Sequence, residues 1–188
     1  RTLSSKTTGT NFLGKTIDIE RTYTYDKVTG KSTIKTIDKS DKLSAAKSAD
    51  GYFSQSSETI TTQDALGRNI DSTTTTTEKF SRKIKGKDGK VTKTEFDSIK
   101  TIAQTAWKYN FDGKGGTKIT NTSDGEWQLR SGDNKKTLYQ STITTTKQDA
   151  LGRETSSETV GNDFFGKQIS TETDWKYYQD GSSRSRMI

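Results

Sequence analysis

The chain has 188 residues and a formal net charge of +7 at pH 7. It contains no Cys or His, which excludes Ser–His–Asp and Cys–His catalysis, histidine metal sites, disulfide frameworks and thiol nucleophiles. Only 26% of residues are hydrophobic, and Leu, Ile, Val and Phe together number 30, or about 16%, below the ~20% at which disorder becomes a serious alternative.

Four features favour a folded β protein over a disordered one. The charges nearly balance, with 31 Lys and Arg against 24 Asp and Glu, and the aromatics are 9% of the chain. The dominant residue is Thr, at 34 positions, whose β-branched side chain suits a pleated, half-wet surface. Pro is absent, which leaves every strand free to donate its backbone N–H groups. No apolar run approaches the ~18 residues of a membrane-spanning helix. No signal peptide is in view and the first residue is Arg1, as expected of a mature or excised piece.

In chain order, Ile17, Ile19, Tyr23 and Tyr25 alternate with Thr16, Asp18, Glu20, Thr22 and Thr24, a period of two that predicts a strand with one apolar face. DKVTGK (26–31) then predicts a turn, and DALGR (64–68) another, with Asp64 and Gly67 as its turn residues. A threonine run, 73–77, follows. KDGK (87–90) predicts a further turn. SIKTIAQTA (98–106) fits a short helix or a strand equally well. Trp107, Tyr109 and Phe111 alternate with Lys108 and Asn110 and predict another strand, closed by DGKGG (112–116). The second DALGR (149–153) places Asp149 and Gly152 in a turn, and DGSS (180–183) marks the last. These runs and turns read as a series of antiparallel hairpins.

The chain also repeats itself. QDALGR occurs at 63–68 and at 148–153, and residues 1–25 align without a gap on 153–177, with 11 identities that include Arg1/Arg153, Gly9/Gly161, Phe12/Phe164, Ile17/Ile169 and Tyr25/Tyr177. WKY followed by DG recurs at 107–113 and 175–181. The predicted units are 1–67, 68–152 and a partial third at 153–188. The middle unit is longer, and its extra residues (about 85–101) are expected to form an inserted hairpin. Arg1 stands where Arg68 and Arg153 stand, so the chain reads as part of a longer tandem array. One unit has few apolar residues, and such units gain stability by stacking on neighbours. The expected fold is all-β, with tandem antiparallel hairpins in a continuous sheet, a solenoid-like array or a thin sandwich.

TYTYDKVTGK (22–31), TTQDALGR (61–68) and TKQDALGR (146–153) resemble YD repeats of the RHS type. That resemblance implies β-hairpins spiralling into a large extracellular or toxin-encasing shell. Here Gln63 and Gln148 stand where the repeat has Tyr before Asp, and only Tyr25–Asp26 keeps the pair. More broadly, the chain resembles the long β-repeat adhesin and matrix proteins of bacterial surfaces.

The candidate site is the repeat interface and core: Phe12, Ile17, Tyr23, Tyr25, Phe80, Trp107, Tyr109, Phe111, Phe164, Ile169, Trp175 and Tyr177. The aromatics among them also suit sugar stacking, but strict alternation with polar residues favours packing. Arg82, Lys83, Lys85, Lys87, Lys90 and Lys93 form a basic cluster that suits an anionic glycan or nucleic acid, or else protects an edge hairpin from aggregation. GKGGTK (113–118) lacks the spacing of a phosphate loop. No D-x-D-x-D-G calcium loop occurs, and no pair of acids is marked for hydrolytic work. The sequence therefore points to a non-enzymatic, cofactor-free structural or adhesive segment of an extracellular or cell-surface protein. Its expected partners are neighbouring repeats, identical chains and, on the basic strip, an anionic polysaccharide; nucleic acid is a weaker fit. The alternatives are an anion-binding module and a segment of a YD-type toxin shell.

Overall fold

The computed structural model describes residues 1–11, 16–40, 51–131, 134–178 and 183–187. Eleven strands account for most of them: β1 (Thr2–Thr10), β2 (Thr16–Tyr25), β3 (Ser32–Asp38), β4 (Gly51–Gln63), β5 (Asn69–Lys85), β6 (Val91–Tyr109), β7 (Thr117–Ser131), β8 (Asn134–Gln148), β9 (Glu154–Asn162), β10 (Gln168–Tyr177) and β11 (Ser183–Met187). Their order in the sheet is their order in the chain, and each pairs antiparallel with the next. The fold is a single open all-β sheet of hairpins. Residues 98–106, ambiguous in sequence, lie within β6 and pair on both sides, with β5 and β7.

Turn chemistry sets this connectivity. At Asp64 the carboxylate Oδ1 accepts the Leu66 and Arg68 N–H groups at 2.9 Å each, and Gly67 takes φ +77°. Only glycine adopts that conformation without penalty, and Asp holds the turn closed from inside. Asp149 and Gly152 (φ +76°) repeat the arrangement. The tight turns leave register nowhere to slip except at small bulges, between Thr62 and Gln63, Ile84 and Lys85, and Lys147 and Gln148.

The sheet has two unlike faces. Carrying the registers from strand to strand places Leu3, Ile19, Tyr23, Ile34, Phe80, Ile99, Trp107, Tyr109, Ile119, Trp127, Leu129, Leu138, Ile169, Trp175 and Tyr177 on one side. The other side carries mainly Thr, Ser, Lys and Glu. Yet among the described residues no hydrophobic side chain is buried, and only Gly116 and Gly125 are buried at all. The solvent-accessible surface is 13110 Å², against about 9,000 Å² for a compact monomer of this mass. The expectation of a packed core at the repeat interface thus gives way to a half-covered aromatic face, because a single layer has nothing to lay across it.

Residues 85–101 do not add a separate hairpin. They lengthen the β5–β6 hairpin, whose strands run 17 and 19 residues against 9 and 10 for β1 and β2. The tip closes through Gly86 N–H to Lys90 O at 2.8 Å. Extending an existing ladder adds paired backbone without a new turn.

Candidate functional site

The contacts that recur along the sheet lie where one four-strand group meets the next. Arg68, at the end of the β4–β5 turn, donates Nε to Asp64 Oδ2 at 2.8 Å and Nη2 to the same oxygen at 2.7 Å. Its guanidinium carbon lies 4.4 Å from the centroid of the Tyr109 ring on β6. The planar guanidinium can satisfy a carboxylate with its edge and an aromatic ring with its face, which an ammonium cannot. The Tyr109 hydroxyl donates to the Asn69 carbonyl at 2.7 Å and ties the ring to β5. At the β8–β9 turn, Arg153 donates Nε to Asp149 at 2.8 Å and its carbon lies 4.6 Å from the Tyr177 centroid. The clasp thus holds three strands together at each position.

Hydroxyl pairs recur beside it. Thr59 and Thr74 are 3.0 Å apart across β4–β5, as are Thr61 and Ser72. Across β8–β9 the same pairs are Thr144 with Thr159 at 2.9 Å and Thr146 with Ser157 at 3.3 Å. Gln63 extends the row by accepting from Ser32 and donating to Asn69, both at 3.0 Å. Such directly opposed pairs are the unit of sheet stabilisation. The turns also nest: a Cβ on Gly30 would lie 3.0 Å from Ala65 Cβ, and one on Gly115 would lie 3.2 Å from Ala150 Cβ.

The aspartates feel these donors. The Arg68 backbone N–H is the largest influence holding the Asp64 carboxyl below its ordinary 3.8, and the Arg153 side chain does the same for Asp149. Asp26 is lowered chiefly by the Thr29 hydroxyl and Asp112 by the Lys114 N–H. A depressed folded-state value gives stability that is complete above the unfolded value and is lost as pH falls through the folded one. The melting temperature is therefore expected to hold down to about pH 4 and to fall below pH 3.8. Asp64→Asn/Asp149→Asn should flatten that acid limb in a thermal scan across pH; an unchanged limb would remove these turns as its cause.

The predicted site residues are placed as follows. Ile17, Tyr23 and Tyr25 lie on β2, Phe80 on β5, Trp107 and Tyr109 on β6, and Ile169, Trp175 and Tyr177 on β10, all with odd–even parity that puts them on the aromatic face. Tyr23, Tyr25 and Phe80 remain exposed. Phe111 is half-buried in the β6–β7 turn, where its N–H donates to Gly116 O at 3.1 Å. Phe12 lies outside the described residues. Phe164 leaves the β9–β10 turn and folds back onto Trp127 of β7, with ring centroids 5.8 Å apart and planes at 71°. Phe165 meets the same indole at 6.3 Å and 86°.

Trp127 and Phe165 escaped the sequence reading because Trp127 has no repeat counterpart: the residue 85 positions earlier is Lys42. Alternation with Leu129 was the available signal. The basic cluster does not converge. Arg82 and Lys83 occupy opposite faces of β5, Lys87 and Lys90 lie in the hairpin tip, and Lys93 stands opposite Ile84. Period-two geometry divides a cluster that looks continuous in sequence. Among the described residues no helix is long and apolar enough to cross a membrane. Among the described residues, no group of three or more acidic side chains gathers where it could hold a metal ion. No protein-family model, curated protein or solved structure matches the chain.

Proposed function

We propose that the chain is a non-enzymatic structural segment of a long extracellular β-repeat protein, part of a fibre, stalk or matrix. The observation that carries this reading is the clasp of Asp64, Arg68 and Tyr109, repeated by Asp149, Arg153 and Tyr177 at the same place in the next four-strand group. Repetition of a joint serves length, whereas a single binding or reaction site gains nothing from it. The wet, coreless sheet supports the same reading, because its stability comes from neighbour-to-neighbour pairing that more units extend. In this role the aromatic face and the Thr- and Lys-rich face provide surfaces for cohesion and adhesion.

Negative-stain micrographs with small-angle X-ray scattering test it. Elongated particles or fibres with a regular axial repeat are the expected result; compact, dispersed globules would overturn the proposal. One observation favours a second reading. Most strand aromatics lie on one face, with Tyr139 among those on the other, and a YD-type shell would need such a wall; closed hollow particles in the same micrographs would select it.

A further inference from the structure

Antiparallel sheets end in edges, and natural proteins usually blunt them with Lys, Pro, bulges or covering segments. The β1 edge shows little of this. All nine of its residues are exposed, Lys6 is its one charged residue, and its register with β2 runs without a bulge. Among the described residues no strand pairs with its other side. By contrast, β11 carries Arg184 and Arg186 within five residues.

The free edge of β1 also has a chemical signature. Arg1 and Tyr25 exchange both backbone hydrogen bonds, Arg1 N to Tyr25 O at 3.0 Å and Tyr25 N to Arg1 O at 2.8 Å. Alternation then turns the odd-numbered residues of β1 toward β2 and directs the N–H and C=O groups of Thr2, Ser4, Lys6, Thr8 and Thr10 outward. On the aromatic face β1 presents Ser5, Thr7 and Gly9. At the equivalent positions β9 has Ser157, Thr159 and Gly161, which pair with Thr146, Thr144 and Thr142 of β8. Arg1 matches Arg153, whose guanidinium is held by Asp149 of the turn that ends β8. Beside Arg1 lies an open groove lined by Leu3, Tyr23, Tyr25 and Ser32.

We propose that β1 is a docking edge for a strand of the β8 kind, T-x-T-x-T-x-Q-D-A-L-G, supplied by another repeat unit. The proposal rests on the structural reading above and names its joint. The incoming strand adds to the sheet through the outward backbone groups of β1, the mode of strand addition used in peptide recognition. Its second and third threonines meet Thr7 and Ser5 as Thr144 meets Thr159 and Thr146 meets Ser157. Its aspartate reaches Arg1 and completes a third clasp.

The test is fluorescence anisotropy with a labelled peptide of residues 141–152 (STITTTKQDALG) and the full 188-residue chain. Saturable binding is expected. Ser4→Pro/Thr8→Pro, which removes two outward N–H groups and leaves the β2 ladder intact, should abolish it while far-UV circular dichroism stays unchanged. A peptide with both central hydroxyls removed (Thr144→Val/Thr146→Val) gives an independent arm and should bind about tenfold more weakly. No binding to the unmodified chain, full binding to the proline variant, or equal binding of the valine peptide would each overturn the proposal. Fibres in micrographs without peptide binding would leave the structural role standing and sink this edge alone.

Discussion

Gly161→Ala should lower the melting temperature by roughly 6–12 °C, corresponding to a loss of roughly 3 kcal/mol in a chain of this size. Gly161 has φ +156° and stands opposite Thr142 in the β8–β9 ladder. A Cβ there would lie 2.1 Å from the Ser141 carbonyl oxygen, 2.7 Å from Thr142 Cα and 2.9 Å from Ser141 C. All three are backbone atoms, so no rotamer change relieves the contact. The strands must part at the end of their pairing, where Phe164 begins its return toward Trp127. Gly9 is the control. It occupies the equivalent place in the repeat, yet a Cβ on it would meet nothing within 4 Å. Gly9→Ala should change stability by less than about 0.5 kcal/mol. Thermal unfolding followed by circular dichroism checks both, and equal effects would show that the β8 backbone is not the cause.

Trp127→Ala should cost about 2 kcal/mol, less than the ~3–5 typical of a fully buried aromatic, because the indole is only half-buried. The loss comes from the edge-to-face contacts with Phe164 and Phe165. Gly125 makes this approach possible: a Cβ on it would come within 2.9 Å of the Phe164 ring tip. Trp127→Phe separates ring packing from polarity. The indole N–H is buried without an acceptor, and an unsatisfied donor of that kind costs about 1–3 kcal/mol. Exchanging it for a phenyl ring should therefore cost far less than truncation. If Phe and Ala destabilise equally in denaturant titration, the contact with the two phenylalanines is not what holds the β9–β10 turn down.

Much of this architecture is written locally. The alternation of Ile17 to Tyr25 and the Asp–Gly turns at 64–67 and 149–152 each depend on a few neighbouring residues, so strands and hairpin order were legible. The repeat was legible for the same reason, through QDALGR and WKY, each recurring as a separate element. Two things were not. That the sheet stays single-layered depends on whether another surface covers the aromatic face, which no short window of sequence encodes. The return of Phe164 to Trp127 joins residues 37 apart in the chain, one of which has no repeat counterpart. Residues 98–106 show a third case. Their pattern of Ile99, Ile102 and Ala103 suits either period, and pairing with β5 and β7 on both sides decides for the strand.

The consecutive strand order has a mechanical consequence. Tension applied between the two outer strands acts across the strands, along the inter-strand hydrogen bonds. These bonds are then opened a few at a time, hairpin by hairpin, rather than sheared together. Each opened hairpin releases a length of extended chain while the remaining pairs stay closed, since the backbone of each strand pairs only with the strands next to it in the sheet. A sheet built this way yields in small steps under load, and the two Arg–Asp–Tyr clasps add resistance where they tie three strands together.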